Sequence, residues 1–464
     1  MLQINWPVLA FIVELLGLLM MVSCGGGSSR DKTEVQPEIV QSPWLKTAIM
    51  RVTDGGLLSA NVAAVPDHLY ESLIHFVYIV DADDGSEAES PPPNEYTLRH
   101  LVWDTSASDG KNIVSTDDIV TLDNTLEFDL EIDESNTLYA AYRGGNKAHC
   151  NTKQSDTMVA VKAVGDDQWH EYVGAIGYSG SRNPAYTDGD AGDYPSLAID
   201  NLGNVHIAFQ FFWEGCDSNN ALHPDILYVL KPAGSFDSFS ISDEEPVEGN
   251  DYEETNYQNA VGYHNSLILD AEENPAIFYG AREVNYNEHG LRLARRNNGT
   301  WSTEWVDRGC FIGDVSAAIS HEGNLAVAYY VDECTEHLSY TEDDAHALRF
   351  AVYVDNEWQV HTVDEATKAG THTQLTFDRL GAPAIVYYET ESYGIGSQRD
   401  LYNLKLARFE SDSNSWFKQR VSEAGDIGVF NSLWFDADNN TYISSFSKTD
   451  STIYLFTEIE LTDS

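Results

Sequence analysis

The sequence predicts an all-β fold: a ring of seven four-stranded antiparallel blades, a β-propeller, with six blades as the alternative. Three observations carry this. A phrase repeats five times, a glycine four residues ahead of a short apolar strand: Gly192-Asp-Tyr-Pro-Ser196, Gly262-Tyr-His-Asn-Ser266, Gly313-Asp-Val-Ser-Ala317, Gly370-Thr-His-Thr-Gln374 and Gly428-Val-Phe-Asn-Ser432. Four copies run on to Asp200, Asp270, Asp378 and Asp436, the fifth to Ser320. The ends of these strands and of one earlier unit, at 133, 200, 270, 320, 378 and 436, are spaced by 67, 70, 50, 58 and 58 residues, a period that fits four-stranded units. Beyond residue 44 short strands alternate with turns, and no helical period stands out.

Taken in chain order, residues 7–23 form an apolar core ending in small residues, shorter than a spanning helix requires. Met21-Val-Ser-Cys24 resembles the lipobox of bacterial lipoproteins. The resemblance implies cleavage before Cys24 and acylation there, which supplies the several chains that stable anchoring needs. An ordinary cleaved signal and a retained anchor are the alternatives. No Lys or Arg precedes the apolar core, and Glu14 interrupts it. The expected organisation is a signal peptide (1–23), a lipidated cysteine and flexible Gly/Ser tether (24–44), and a propeller (45–464). With Gly25 after the cysteine, the expected location is the bacterial cell envelope, at the outer membrane or cell surface.

The expected blades follow. The first is 60–65, 73–80, 96–103 and 112–115. The second, a degenerate copy, is 126–133, 137–143, 157–164 and 169–174. The third is 195–200, 205–212, 225–230 and 236–242. The fourth is 266–270, 275–281, 291–295 and 301–306; the fifth 317–320, 325–331, 348–353 and 358–363. The sixth is 374–378, 383–389, 404–409 and 416–421. The last unit has only 432–436, 441–447 and 452–460, so residues 45–52 are expected to supply its fourth strand and leave no open edge. The turns before the outermost strands read Asp166-Asp-Gln-Trp169, Asn298-Gly-Thr-Trp301, Asp355-Asn-Glu-Trp358 and Asp412-Ser-Asn-Ser-Trp416. They resemble the Asp-box turn of sialidase-type propellers. Over roughly residues 120–460 the chain resembles sialidase-like repeat propellers of bacterial surface lipoproteins. That resemblance implies the fold and leaves the activity open.

Composition narrows the partners. The chain carries a net charge of −49, which repels nucleic acid and anionic lipid surfaces. The acidic run 242–254 is expected as a solvated loop. With Cys24 lipidated, four cysteines remain, and an exported protein favours disulfides. Cys310 and Cys334 fall on loops of one blade, Cys150 and Cys216 on neighbouring blades, so 310–334 and 150–216 are the expected pairs; four free thiols are the alternative.

The long loops, and with them the mouth of the central channel, share one face of the ring. The phrase places one residue per blade there: Tyr194, His264, Val315, His372 and Phe430. Tyr194, His264, His372 and Phe430 are the candidate ligand-binding residues, with turn residues packed on the next blade as the plainer reading. His206 is expected in the core. Asp188, Asp190 and Asp193 offer oxygen ligands suited to Ca²⁺, or a solvated acidic turn. The Arg-Ile-Pro sequence typical of sialidases is absent, and nothing in the sequence shows that Arg143, Arg182 and Arg282 converge. The expected function is a monomeric, lipid-anchored binding module for a glycan, a protein or a cation, with loop aromatics such as Trp213 and Tyr286 contributing. A glycoside hydrolase of sialidase-like architecture is the alternative.

Overall fold

The computed structural model describes residues 44–52, 61–81, 96–107, 111–122, 127–149, 152–175, 188–214, 223–236, 244–248, 260–283, 288–332, 346–365, 369–391, 401–422 and 425–458. Residues 42–464 form one compact unit. Twenty-eight described strands make seven antiparallel four-stranded sheets.

Blade 1 is β2 (Val62–Pro66), β3 (Leu73–Asp81), β4 (Tyr96–Asp104) and β5 (Ile113–Leu122). Blade 2 is β6 (Phe128–Ile132), β7 (Leu138–His149), β8 (Thr152–Lys162) and β9 (His170–Ala175). Blade 3 is β10 (Asp188–Ile199), β11 (Val205–Glu214), β12 (His223–Lys231) and β13 (Glu244–Glu248). Blade 4 is β14 (Ala260–Leu269), β15 (Pro275–Glu283), β16 (Glu288–Asn297) and β17 (Thr300–Arg308). Blade 5 is β18 (Phe311–Ile319), β19 (Leu325–Asp332), β20 (Ala347–Val354) and β21 (Glu357–Asp364). Blade 6 is β22 (Ala369–Phe377), β23 (Pro383–Glu391), β24 (Leu401–Glu410) and β25 (Ser415–Arg420). Blade 7 is β26 (Ile427–Phe435), β27 (Thr441–Ser447) and β28 (Thr452–Glu458), completed by β1 (Trp44–Arg51). β1 pairs antiparallel with β28 from Trp44↔Glu458 to Arg51↔Thr452. The ring therefore closes with the N-terminal strand, as expected, and the count is seven.

Two expectations need correction. The glycine phrase does not precede the innermost strand; it lies inside it. Pairing runs through the phrase in β10, β14, β22 and β26 with two register shifts in each. Each shift is a bulge that admits an extra residue without ending the ladder. The outermost strand of blade 3 is β13, inside the acidic run, not at 236–242. Glu245 there accepts from Arg296 and the Trp301 indole, and Glu248 from Arg292 and the Tyr279 hydroxyl. Charge on an outer strand is thus used in seam bonds.

The aspartate after each innermost strand closes the turn that follows. Asp200 Oδ1 accepts from the Leu202 and Asn204 N–H groups at 3.0 and 2.8 Å. Asp270, Asp378 and Asp436 repeat this, and Ser320 does so with its hydroxyl. The outer turns place Asn298, Asp355 and Asn414 at φ of 51°, 53° and 50°, which asparagine, aspartate and glycine tolerate best. The tryptophan that follows packs on the preceding blade: Trp301 on Tyr228, Trp358 on Phe278 and Trp416 on Phe350, centroids 5.2–5.8 Å apart. The core consequently lies between blades, in apolar clusters that each draw on neighbouring sheets.

Polar bonds on the inner strands tie the seams. The Leu197 N–H donates to Asp129, Leu267 to Ser196, Ala317 to Ser266, Leu375 to Ser316, Leu433 to Gln374 and Ala64 to Ser432, at 2.6–3.0 Å. The last residue of the phrase is therefore an acceptor for the next blade. In blade 5 that residue is Ser316, three after the glycine, because this copy has a single register shift, between Gly313 and Val315.

Candidate functional site

The phrase brings five predicted mouth residues around one cavity of about 420 Å³ on the ring axis. Tyr194, His264, Val315, His372 and Phe430 line it, and blades 1 and 2 add Asn61, Glu127 and Phe128. All seven blades contribute.

Backbone geometry aims the side chains. Tyr194, His264, His372 and Phe430 have φ of 50°, 48°, 50° and 54°. The left-handed region is costly for a non-glycine residue and worst for a β-branched one. Val315, the β-branched copy, escapes it, and its blade is the one with the shorter bulge. Gly262, Gly370 and Gly428 also have positive φ, of 90°, 119° and 137°. Neighbours satisfy the strained backbone. Glu127 accepts the Tyr194 N–H, and Asp314 accepts the His372 N–H at 2.9 Å. Asn265 and Asn431 donate their amides to the Tyr194 and His372 carbonyls at 2.7 and 2.8 Å. Persisting strain of this kind clusters at functional positions.

The rings meet in pairs across seams. Tyr194 and His264 have centroids 4.6 Å apart, and His372 and Phe430 4.8 Å. Tyr194 and His372 each pack on a ring of the next blade, as the plainer reading expects, and all four rings line the cavity. His264 Nδ1 lies 3.5 Å from Asp314 Oδ1. Burial pushes the Glu127 carboxyl up to about 7, with Asp193 adding to it; the Tyr194 N–H and Arg143 oppose. Burial, then Glu127, Asp193 and Asp314, raises the Tyr194 phenol to about 12. Burial pushes His372 down against Asp314. At neutral pH the cavity thus holds a neutral phenol, a neutral His372 and a carboxyl near its midpoint. Sequence reasoning missed Glu127 and Asp314. Asp314 follows Gly313 inside the phrase and could have been found; Glu127 lies in a unit without the phrase.

Other candidates fall elsewhere. Asp193 is ion-paired with Arg143, and Arg282 lies over the Phe311 ring at 5.5 Å. No Lys or Arg stands among the described residues lining the cavity. His206 is buried, its ring bonded to Tyr228 Oη at 2.7 Å. Cys310 is buried and disulfide-bonded, its partner outside the described residues. Cys24, Cys150, Cys216, Cys334, Arg182 and Tyr286, and the side chains of Asp188, Asp190 and Trp213, also lie outside them. Among the described residues no group of three or more His, Cys, Asp or Glu side chains is arranged to hold a metal ion, and no helix is long and apolar enough to cross a membrane.

No protein-family model matches the chain, and no curated protein matches it. Solved structures do. An ulvan lyase, a polysaccharide lyase bound to -[GlcA(1-4)Rha3S]-, aligns over 89% of this chain and 96% of its own at 10% identity, with a TM-score of 0.54. A Trypanosoma rangeli sialidase aligns over 75% and 56% at 10% identity and a TM-score of 0.44. A Penicillium chrysogenum α-L-arabinanase aligns over 73% and 94% at 11% identity and a TM-score of 0.46. At these identities the likeness is one of fold. The chain is a seven-bladed β-propeller of four-stranded antiparallel blades, the architecture its repeats and turns led us to expect.

Proposed function

We propose that the axial cavity binds a glycan and that the chain is a surface binding module held to a membrane through Cys24. The observation that supports this best is the convergence of Tyr194, His264, His372 and Phe430 on one cavity, carried by backbone that a scaffold alone has no need to strain. Aromatic faces stack on sugar rings, and polar edges such as Asn61 and Thr373 suit hydroxyl groups. Charge narrows the class. Glu127 and Asp314 line the cavity without a lining cation among the described residues, so a neutral or amino sugar fits better than a uronate or sulfate. A glycan array probed with the full chain tests the reading. Binding to neutral or amino glycans should be lost in Tyr194→Ala and Phe430→Ala. A protein that binds no glycan, or binds equally well without these rings, refutes it.

A second reading is cleavage of the bound glycan. His264 beside Asp314, with Glu127 titrating near neutrality at Tyr194, supports it as an acid–base set. A panel of fluorogenic glycosides and polysaccharides distinguishes the readings. Turnover that disappears in both Glu127→Gln and Asp314→Asn would make the chain an enzyme.

A further inference from the structure

The seam between blades 1 and 2 is built unlike the other six. Where those have a serine, glutamine or aspartate acceptor, blade 1 has Ala63, the residue before the Ala64 N–H donor. The Leu130 N–H that such an acceptor would meet turns instead to its own Asp129 carboxylate at 3.0 Å. Farther out, a line of side chains runs across blade 1 and meets blade 2 at both ends. Asp67 Oδ2 meets His75 Nε2 at 3.0 Å, His75 Nδ1 meets His100 Nε2 at 3.0 Å, and His100 Nδ1 meets Asp117 Oδ1 at 3.0 Å. Asp117 Oδ2 then accepts from Lys162 Nζ and Trp169 Nε1 of blade 2, both at 2.7 Å. Asp67 accepts from the Leu69 and Tyr70 N–H groups and from Asn136 of blade 2. Asp67, His75 and His100 are buried.

Counting protons decides the state of this line. Three hydrogen bonds join the four groups, and each needs one proton. Two ionised carboxylates supply none, and two neutral imidazoles supply two. One further proton is required. Both carboxylates are already held ionised by other donors, Asp117 by a lysine and an indole, Asp67 by three N–H groups, so the proton belongs to the imidazoles. His75 donates from Nε2 to Asp67, and because its burial disfavours a second proton there, its Nδ1 accepts and His100 donates at both nitrogens. The charges then alternate as Asp67⁻, His100⁺, Asp117⁻ and Lys162⁺, a sum of zero, which is what burial demands.

We infer that the His75–His100 pair of blade 1 is a proton-binding site that positions Asp117, and through Asp117 holds blade 2. Loss of the proton sets the His100 Nδ1 lone pair against the Asp117 carboxylate and opens a bond between β4 and β5, which frees Asp117, the acceptor that Lys162 and Trp169 of blade 2 hold. Burial and the neighbouring His100 keep His75 from taking a second proton until about pH 4. Asp166 and Asp167 line the edge of the same cleft, and the Lys162 charge opposes a positive charge on the pair. Trp169 packs edge-on against His100 at 5.4 Å and shields it. The bond to Asp117 therefore depends on that proton, and the hold on blade 2 weakens when the proton is lost on the alkaline side.

Histidine ¹⁵N NMR on the full chain tests this. At pH 7, His100 should carry hydrogen on both ring nitrogens and His75 on Nε2 alone; a neutral His100 at pH 6 would overturn the inference. Hydrogen exchange of β5 and β9, corrected for its intrinsic pH dependence, should quicken roughly tenfold when the proton is lost. Asp117→Asn can donate to His100 Nδ1 and complete the line without the extra proton, so it should abolish that quickening. If Asp117→Asn keeps the wild-type pH response, the site is not the switch.

Discussion

The residues around the axial cavity hold strain that discriminates among side chains by shape. At Phe430, φ is 54°, and a β-branched side chain there clashes where an unbranched Cβ does not. Phe430→Ile is expected to be less stable than Phe430→Leu by roughly 1 kcal/mol, although the two replacements are isomers; urea unfolding measures the difference. Asp129 and Glu131 on β6, and Glu127 just before it, share one face by alternation. Burial pushes Asp129 up to about 6, and burial with Asp129 beside it pushes Glu131 up to about 8. Both carboxyls hold protons in the folded state that an unfolded carboxyl releases near pH 4. Their contribution to stability is therefore full below that range and declines as pH rises to about 8. Glu131→Gln should flatten this decline and raise stability at pH 9 by on the order of a few kcal/mol, read from urea unfolding at pH 5, 7 and 9. The sequence marks Tyr194, His264, His372 and Phe430 because the glycine phrase repeats. It does not mark Glu127 or Asp129, since what singles them out is the neighbouring blade's N–H groups more than 60 residues away.

At the scale of the strand and its seam, short polar side chains do what the apolar clusters cannot, which is to set register between blades. Ser266→Ala leaves the Ala317 N–H without its acceptor, at an expected cost of about 1–3 kcal/mol. Thermal unfolding should report that loss while circular dichroism shows the blades intact. The serine stood in plain view at the end of the phrase, but its partner is 51 residues away on another sheet, and no local pattern names it. Strand order, turn positions and the outer tryptophans were legible because each follows from alternation and turn chemistry. The bulges were not, because a bulge is decided by what the strand pairs with. The acidic run misled for the same reason: Glu245 and Glu248 look solvated until Arg296 and Arg292 arrive from blade 4. Cys310 is disulfide-bonded. Our proposed pairs, 310–334 and 150–216, predict two linked peptide sets in non-reducing mapping; free Cys150 and Cys216 would remove the second.

For the whole molecule, closure rests on one short strand. β1 supplies the outer edge of blade 7, and Trp44 and Ile49 enter apolar clusters of that blade. Deleting residues 44–52 should expose the β28 edge. Self-association in size-exclusion chromatography and a lower Tm are the expected results; an unchanged monomer would show that closure needs no such clasp. What the sequence determined by itself was everything periodic: the all-β class, the blade unit, the closing strand and the ring of residues at the axis. These are consequences of alternation and of turns, which act within a few residues. The tertiary structure alone decided which groups face one another: the acceptors of the strained backbone, the carboxyls pushed up by burial, and the paired histidines of blade 1 whose carboxylate partner holds blade 2. Those properties depend on distances between residues far apart in the chain, and only closure of the ring sets them.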